Sequence, residues 1–201
     1  SVVDTTLPTV TSVGTFNVTL NATGLASVSV ASLVSSSGDN CGVSVTADKT
    51  VFSCADAGAN VVTLTAVDPS GNNATATVTV FVSDDEVPSV VAAADFTVAL
   101  DASGAYNVSV GEAVASSADN CAVASVTLDR TAFSCSDVGS SFTVTATATD
   151  TSGNQATDSV SVSVVDTTLP TVTSVGTFNV TLNATGLASV SVASLVSSSG
   201  D

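Results

Sequence analysis

Histidine, tryptophan and methionine are absent from this chain of 201 residues, and tyrosine occurs once. The only cations are Lys49 and Arg130, set against 18 aspartates and glutamates, for a formal net charge of −16. Each scarcity removes a class of function. Without imidazole, the common general base and the common zinc ligand are missing. With two cations, neither nucleic acid nor an anionic membrane surface is a direct partner, because both are bound through Lys and Arg. No apolar run approaches the roughly 20 residues of a membrane-spanning helix, and helical periodicity is nearly missing. No CxxC motif offers a metal site, and serine, although abundant, has no partner base. The sequence therefore predicts no enzyme. An intramolecular lysine–asparagine bond is set aside too, since Lys49 is the sole lysine and Arg130 stands at the matching place.

What is present is repetition. Residues 1–39 recur letter for letter as residues 163–201. The reading is a repeat A over 1–83, a related repeat B over 84–165, and the truncated start of a second repeat A over 166–201. A chain that stops within a repeat reads as an internal window on a longer tandem array, and no leader peptide is visible, as such a window requires. The repeats meet at short acidic segments ending in proline: Val3-Asp4-Thr5-Thr6-Leu7-Pro8, Ser83-Asp84-Asp85-Glu86-Val87-Pro88, and Val165-Asp166-Thr167-Thr168-Leu169-Pro170. Acid, spacer and proline make a poor strand interior and a good boundary.

Between the boundaries, Val and Thr alternate. Phe16, Val18 and Leu20 share one face, as do Val62, Leu64 and Ala66, and then Ala74, Ala76, Val78 and Val80. The threonines, including Thr143, Thr145, Thr147 and Thr149, form the outward rows. This period of two, broken by turns, gives about seven short strands per repeat: an all-β fold of tandem immunoglobulin-like β-sandwich domains, arranged as beads on a rod. Ala26–Leu33 is expected to return as one strand, and 42–47 with 50–54 as a hairpin turning at Asp48-Lys49. That hairpin places Cys41 opposite Cys54 and predicts a bond between them, worth roughly 3 kcal/mol on a chain-entropy basis. Cys121 and Cys135 enclose one residue more, so their hairpin is expected to carry a bulge or a longer turn near Asp129. One cysteine pair per repeat in a thin valine–alanine core points to an oxidising compartment.

Asp39-Asn40-Cys41, Phe52-Ser53-Cys54 and Asp68-Pro69-Ser70-Gly71-Asn72 together resemble the hyalin-type (HYR-like) repeat. Repeat B carries the same order as Asp119-Asn120-Cys121, Phe133-Ser134-Cys135 and Asp150-Thr151-Ser152-Gly153-Asn154. The cysteines stand elsewhere than in animal hyalin repeats, so the likeness is closer to relatives in large microbial surface proteins. That resemblance implies extracellular, immunoglobulin-like modules of adhesive or stalk-forming proteins, without catalysis.

In such a sandwich the joint, the loop holding Asp119 and the turn from Asp150 to Asn154 lie at one end. Asp84, Asp85, Glu86, Asp119, Asp150 and Asn154 are then candidate oxygen ligands for a structural calcium ion, which takes six to eight of them. Asp4, Asp39, Asp68 and Asn72 are the matching, weaker set in repeat A. The alternative is that Asp-Pro-Ser-Gly-Asn simply makes a turn with no metal. Asn17, Asn21, Asn73 and Asn107 fit the N-glycosylation pattern. The expected role is a stalk or filament segment of an extracellular surface protein, stiffened by disulfides and by calcium at its joints. Its partners are the neighbouring repeats, with lateral self-association into a filament. Adhesion to carbohydrate or another surface, and accessory domains of a secreted enzyme, are the alternatives.

Overall fold

A computed structural model of the protein describes residues 3–200; Ser1, Val2 and Asp201, the outer limits of the first and last repeats, lie outside them. The chain divides into two compact units. One takes in Ser1–Ala92, Val114–Thr127 and Ala146–Asp158, the other Ala93–Ala113, Leu128–Thr145 and Ser159–Asp201. The division runs through repeat B, so the joint Ser83–Pro88 and the loops around it stay within one unit.

In repeat A the strands are β1 (Thr9–Ser12), β2 (Thr15–Thr19), β3 (Leu25–Ser27), β4 (Val34–Gly38), β5 (Ser44–Ala47), β6 (Val51–Ser53), β7 (Gly58–Val67) and β8 (Asn73–Ser83), with a helical turn α1 (Val30–Leu33) before β4. One layer is the four-stranded sheet β2-β8-β7-β5, and the other consists of the pairs β1-β4 and β3-β6. The long β7–β8 hairpin is in unbroken antiparallel register from Gly58↔Val82 to Val67↔Asn73, and β2 lies parallel to β8. Leu20, Ala26, Val28, Leu33 and Phe52 meet Val62, Leu64, Val78, Val80 and Val82 in the core. Alternation thus predicted the inner face of this hairpin correctly. Branched valines suit the pleat, and threonines keep its other face wetter. This is an immunoglobulin-like β-sandwich.

Repeat B follows the same order: β9 (Ser89–Ala92), β10 (Phe96–Ala99), β11 (Ala105–Asn107), α2 (Val110–Ala113), β12 (Val114–Ala118), β13 (Val123–Leu128), β14 (Ala132–Ser134), β15 (Ser141–Asp150) and β16 (Gln155–Val165). In the second unit β10 lies parallel to β16, and β11 pairs with β14. Beyond it come β17 (Thr171–Ser174), α3 (Val192–Leu195) and β18 (Val196–Gly200), with β17 and β18 antiparallel.

Two local expectations fail. Ala26–Leu33 is not one strand: Ser29 caps a helical turn, its hydroxyl accepting from the Ser32 amide at 3.2 Å, and the chain re-enters the sheet as β4. β4 lies beyond the predicted span, so repeat A has eight short strands where about seven were expected. The second failure concerns β5 and β6, which form no hairpin. β5 pairs with β7 in one layer and β6 with β3 in the other, so the chain changes layers at Asp48-Lys49. Cys41 is therefore not opposite Cys54, and the predicted bonds within each repeat do not form.

A candidate cross-linking and cation site at the joint

The disulfide of this structure joins Cys54 to Cys121 across 67 residues, with S–S 2.05 Å and Cα–Cα 5.4 Å; Cys41 and Cys135 are free and exposed. The predicted pairs Cys41–Cys54 and Cys121–Cys135 are thus replaced by one bond from repeat A to repeat B. In the chain-entropy model a loop of this length is worth about 4 kcal/mol, more than the hairpin loop would be.

Local chemistry presents each half. Cys54 opens a 3-10 turn, Cys54–Asp56, whose Asp56 carboxylate accepts from the Ser53 amide and hydroxyl. Lys49 forms an ion pair with Asp56 and lies over the Phe52 ring at 5.1 Å. Lys49 first, then the Ser53 amide, hold the Asp56 carboxyl below its ordinary range. Cys121 follows Asp119, whose Oδ2 accepts from the Cys121 and Ala122 amides at 2.8 and 3.1 Å. Gly24, at φ +71°, supplies the space for the bond. A Cβ there would stand 2.7 Å from both Cys54 Sγ and the Asn120 carbonyl oxygen.

Asn120 is the hook beside the bond. Its Nδ2 donates to the Asn21 carbonyl at 3.1 Å and to Asp84 Oδ1 at 3.0 Å. Asp84 is buried, 6% exposed, and its Oδ2 accepts from Ser152 Oγ at 3.4 Å. From the β15–β16 turn, Asn154 Nδ2 donates to the carbonyls of Asp84 and Glu86, each at 3.0 Å. Asp150 Oδ1 accepts from the Ser152 and Asn154 amides, and Oδ2 accepts from Asn154 Nδ2. Burial pushes the Asp150 carboxyl up, but these hydrogen bonds outweigh it and leave the group below its ordinary value.

The predicted ligands are brought together unequally. An oxygen of Asp84, an oxygen of Asp119 and Cys121 Sγ lie within 4.8 Å of one another, as do the matching atoms of Asp4, Asp39 and Cys41. Asp119 Oδ1 and Asn120 Oδ1 are shut from water with no hydrogen-bond partner. Two carboxylates and orphaned oxygens fit a hard cation in kind; the Cys121 sulfur, already bonded, is no ligand. Asp85 and Glu86 are exposed outside this group, and Asp85 Oδ2 accepts instead from Thr19 Oγ1 at 3.5 Å. Asp150 and Asn154 are occupied by their turn. Asp68 and Asn72 behave alike: Asp68 Oδ1 accepts from the Asn72 amide at 2.8 Å, and Asn72 Nδ2 reaches the Asp4 carbonyl at 3.2 Å. Asn17, Asn21, Asn73 and Asn107 are all exposed; Asn21 Oδ1 also accepts from the Thr23 and Leu25 amides, closing the turn that ends at Gly24.

Sequence reasoning placed Asn120 and Ser152 in the loops at the joint without assigning them a contact, and it missed Gly24. A signal existed for Gly24, because Asn21-Ala-Thr-Gly24 returns in repeat B as Asp101-Ala-Ser-Gly104 with its cysteine downstream in the same order.

Residues 116–196 match the family profile described as MBG domain. No curated protein matches the chain. Among solved structures, human mucin-like protocadherin EC1-2 aligns at 16% identity and TM-score 0.39, covering 79% of this chain and 98% of that one. Fibronectin(III)-like modules of Clostridium thermocellum CbhA align at 14% identity and TM-score 0.31, over 80% and 95% of the two chains. The human desmocollin-1 ectodomain aligns at 11% and 0.31, over 83% of this chain and 42% of that one.

Proposed function

We propose that this chain is a structural segment of an extracellular stalk or filament, built from repeats at 1–83, 84–165 and 166–201. Its work is mechanical: each joint resists bending so that the array holds its length. The observation that carries this reading is the Cys54–Cys121 bond, which ties one repeat to the next instead of stapling a single core. Both of its cysteines pack against the edge of the first sandwich's core, and the bond removes freedom from the segment between the repeats. A lasting disulfide also belongs to an oxidising environment outside the cytosol.

Calcium is the second element of the proposal. Asp84, Asp119 and Asn120 would hold it, and it would neutralise two carboxylates that otherwise repel within a strongly acidic chain. Small-angle scattering and thermal melting of the full chain, with calcium and then with chelator, test this part. Calcium is expected to raise the melting temperature and to narrow the spread of molecular lengths. Superimposable melts and profiles would overturn the calcium role. Reduction of Cys54–Cys121 should broaden the length distribution in either condition; an unchanged profile would overturn the mechanical reading.

A further inference from the structure

The two free cysteines are not left over; each stands in a copy of one half of the bond already formed. Cys135 opens the 3-10 turn Cys135–Asp137, in which the Asp137 carboxylate accepts from the Ser134 amide at 2.9 Å, as Asp56 does from Ser53. Arg130 pairs with Asp137 at 2.7 Å and covers the Phe133 ring at 4.4 Å, repeating the roles of Lys49. Cys135 Sγ lies 3.6 Å from the Gly104 carbonyl, and Cys54 Sγ lies 3.7 Å from that of Gly24. Gly104 has φ +72°, and a Cβ on it would collide with Cys135 Sγ. The Asp101 turn repeats the Asn21 turn bond for bond, Oδ1 accepting from Ser103 and Ala105 amides at 2.8 and 3.2 Å.

Cys41 is the counterpart of Cys121. Its amide donates to Asp39 Oδ2 at 2.8 Å, the same distance as Cys121 to Asp119. With its amide group turned to face the carboxylates, Asn40 Nδ2 lies 3.3 Å from Asp4 Oδ2, matching Asn120 on Asp84. The chain leaving repeat B also starts the next joint in the same way: the Leu100 amide donates to the Val165 carbonyl at 3.0 Å, as Leu20 does to Ser83 at 2.9 Å.

We propose that Cys135 bonds to the Asp39-Asn40-Cys41 loop of another repeat A, so that one disulfide per joint links every successive repeat into a continuous covalent ladder. This rests on the reading of the chain as a tandem array and names the partner of each open end. The following repeat A receives Cys135 through its Cys41, and the Cys41 of this chain receives the Cys135-type cysteine of a preceding repeat B. Two thiols give up two protons and two electrons in forming each bond, and a low-molecular-weight disulfide is the oxidant. One protein thiolate attacks it and expels a thiolate; the second attacks the mixed disulfide and expels the other, leaving two reduced small thiols. Gly104 keeps the docking place open, and the 3-10 turn holds the sulfur in it.

The test compares two chains oxidised with a glutathione disulfide buffer, alkylated and mapped by mass spectrometry. The first is the chain of 201 residues; the second is the same chain lengthened after Asp201 by a copy of residues 40–83. In the second, Cys135 is expected to escape alkylation and to appear linked to the added copy of Cys41 at any protein concentration. In the first, Cys54–Cys121 forms within the chain, while Cys135 and Cys41 are joined only between molecules, giving head-to-tail multimers that grow with concentration. Gly104→Ala should cut the yield of the Cys135 link at least severalfold while leaving Cys54–Cys121 intact. A Cys135 that stays alkylatable in the lengthened chain, or that pairs with Cys121 or with another Cys135, would overturn the proposal. Scattering on the lengthened chain separates the two readings. A linked chain that fails to gain length sinks the stalk, whereas an extended chain without the link sinks only the ladder.

Discussion

Gly24 shows how much one atom can decide at the joint. Its positive φ is one that side chains rarely adopt, and its missing Cβ is the space into which the Asn120 carbonyl and Cys54 Sγ fit. Gly24→Ala is expected to destabilise the first unit by about 1–3 kcal/mol from backbone strain. It should also lower the fraction of Cys54–Cys121 formed at equilibrium with a thiol–disulfide buffer. Urea denaturation and alkylation read the two effects separately, and a variant as stable and as fully oxidised as the parent would refute both. The two basic residues are a second example at this scale. In so acidic a chain their positions suggest solvent-facing turns, yet each is committed to locking the 3-10 turn that carries a cysteine. The sequence contained the pattern, a cation followed seven residues later by Asp, in both repeats. What it lacked was the sheet crossing that gives the pattern meaning.

Among the elements, α2 carries a pH dependence that can be worked out. Glu112 Oε2 accepts from the Ser109 amide and hydroxyl at 2.8 and 2.7 Å, and Oε1 accepts from Tyr106 Oη at 2.5 Å. Tyr106 first, then Ser109, bring the Glu112 carboxyl down to about 2 from its usual 4.5. A depressed carboxylate stabilises the fold above its unfolded value and loses that contribution as pH falls through the folded one. The loss from Glu112 therefore belongs to the interval from about 4.5 down to about 2. Melting the Glu112→Gln variant across this range should give a shallower acid slope than the parent, with the single tyrosine as reporter; parallel slopes would refute it. Ser109 followed three residues later by Glu112 is a helix-start signature that can be read from the residue order alone. It outweighs the strand alternation around it because the cap satisfies amides that would otherwise be open. Repeat A makes the same turn with Ser29 and Ser32, a weaker version of the signal.

Over the whole molecule, residues 1–39 and 163–201 form an internal control, since one sequence occurs in two settings. β1–β4 and β17–β18 form in both with the same register and the same bulge, Thr9↔Gly38 matching Thr171↔Gly200. The residues of β2 pair with β8, whereas 177–181, identical in sequence, form no strand. Hydrogen exchange should find the amides of Thr15–Thr19 protected and those of 177–181 fast. Lengthening the chain with a copy of residues 40–83 should slow the latter to match, and continued fast exchange there would show that the missing sheet partner is not the cause. The sequence by itself determined the period of two, the inner faces of β7 and β8, the turns at Asp68 and Asp150, and the acidic boundaries, because these follow from side-chain alternation and local hydrogen bonding. Only the tertiary structure decided that β5 and β6 belong to opposite layers, and hence that Cys54 reaches Cys121 instead of Cys41. Which layer a short strand joins depends on the edge that is open to it, and that edge is supplied by residues far away along the chain.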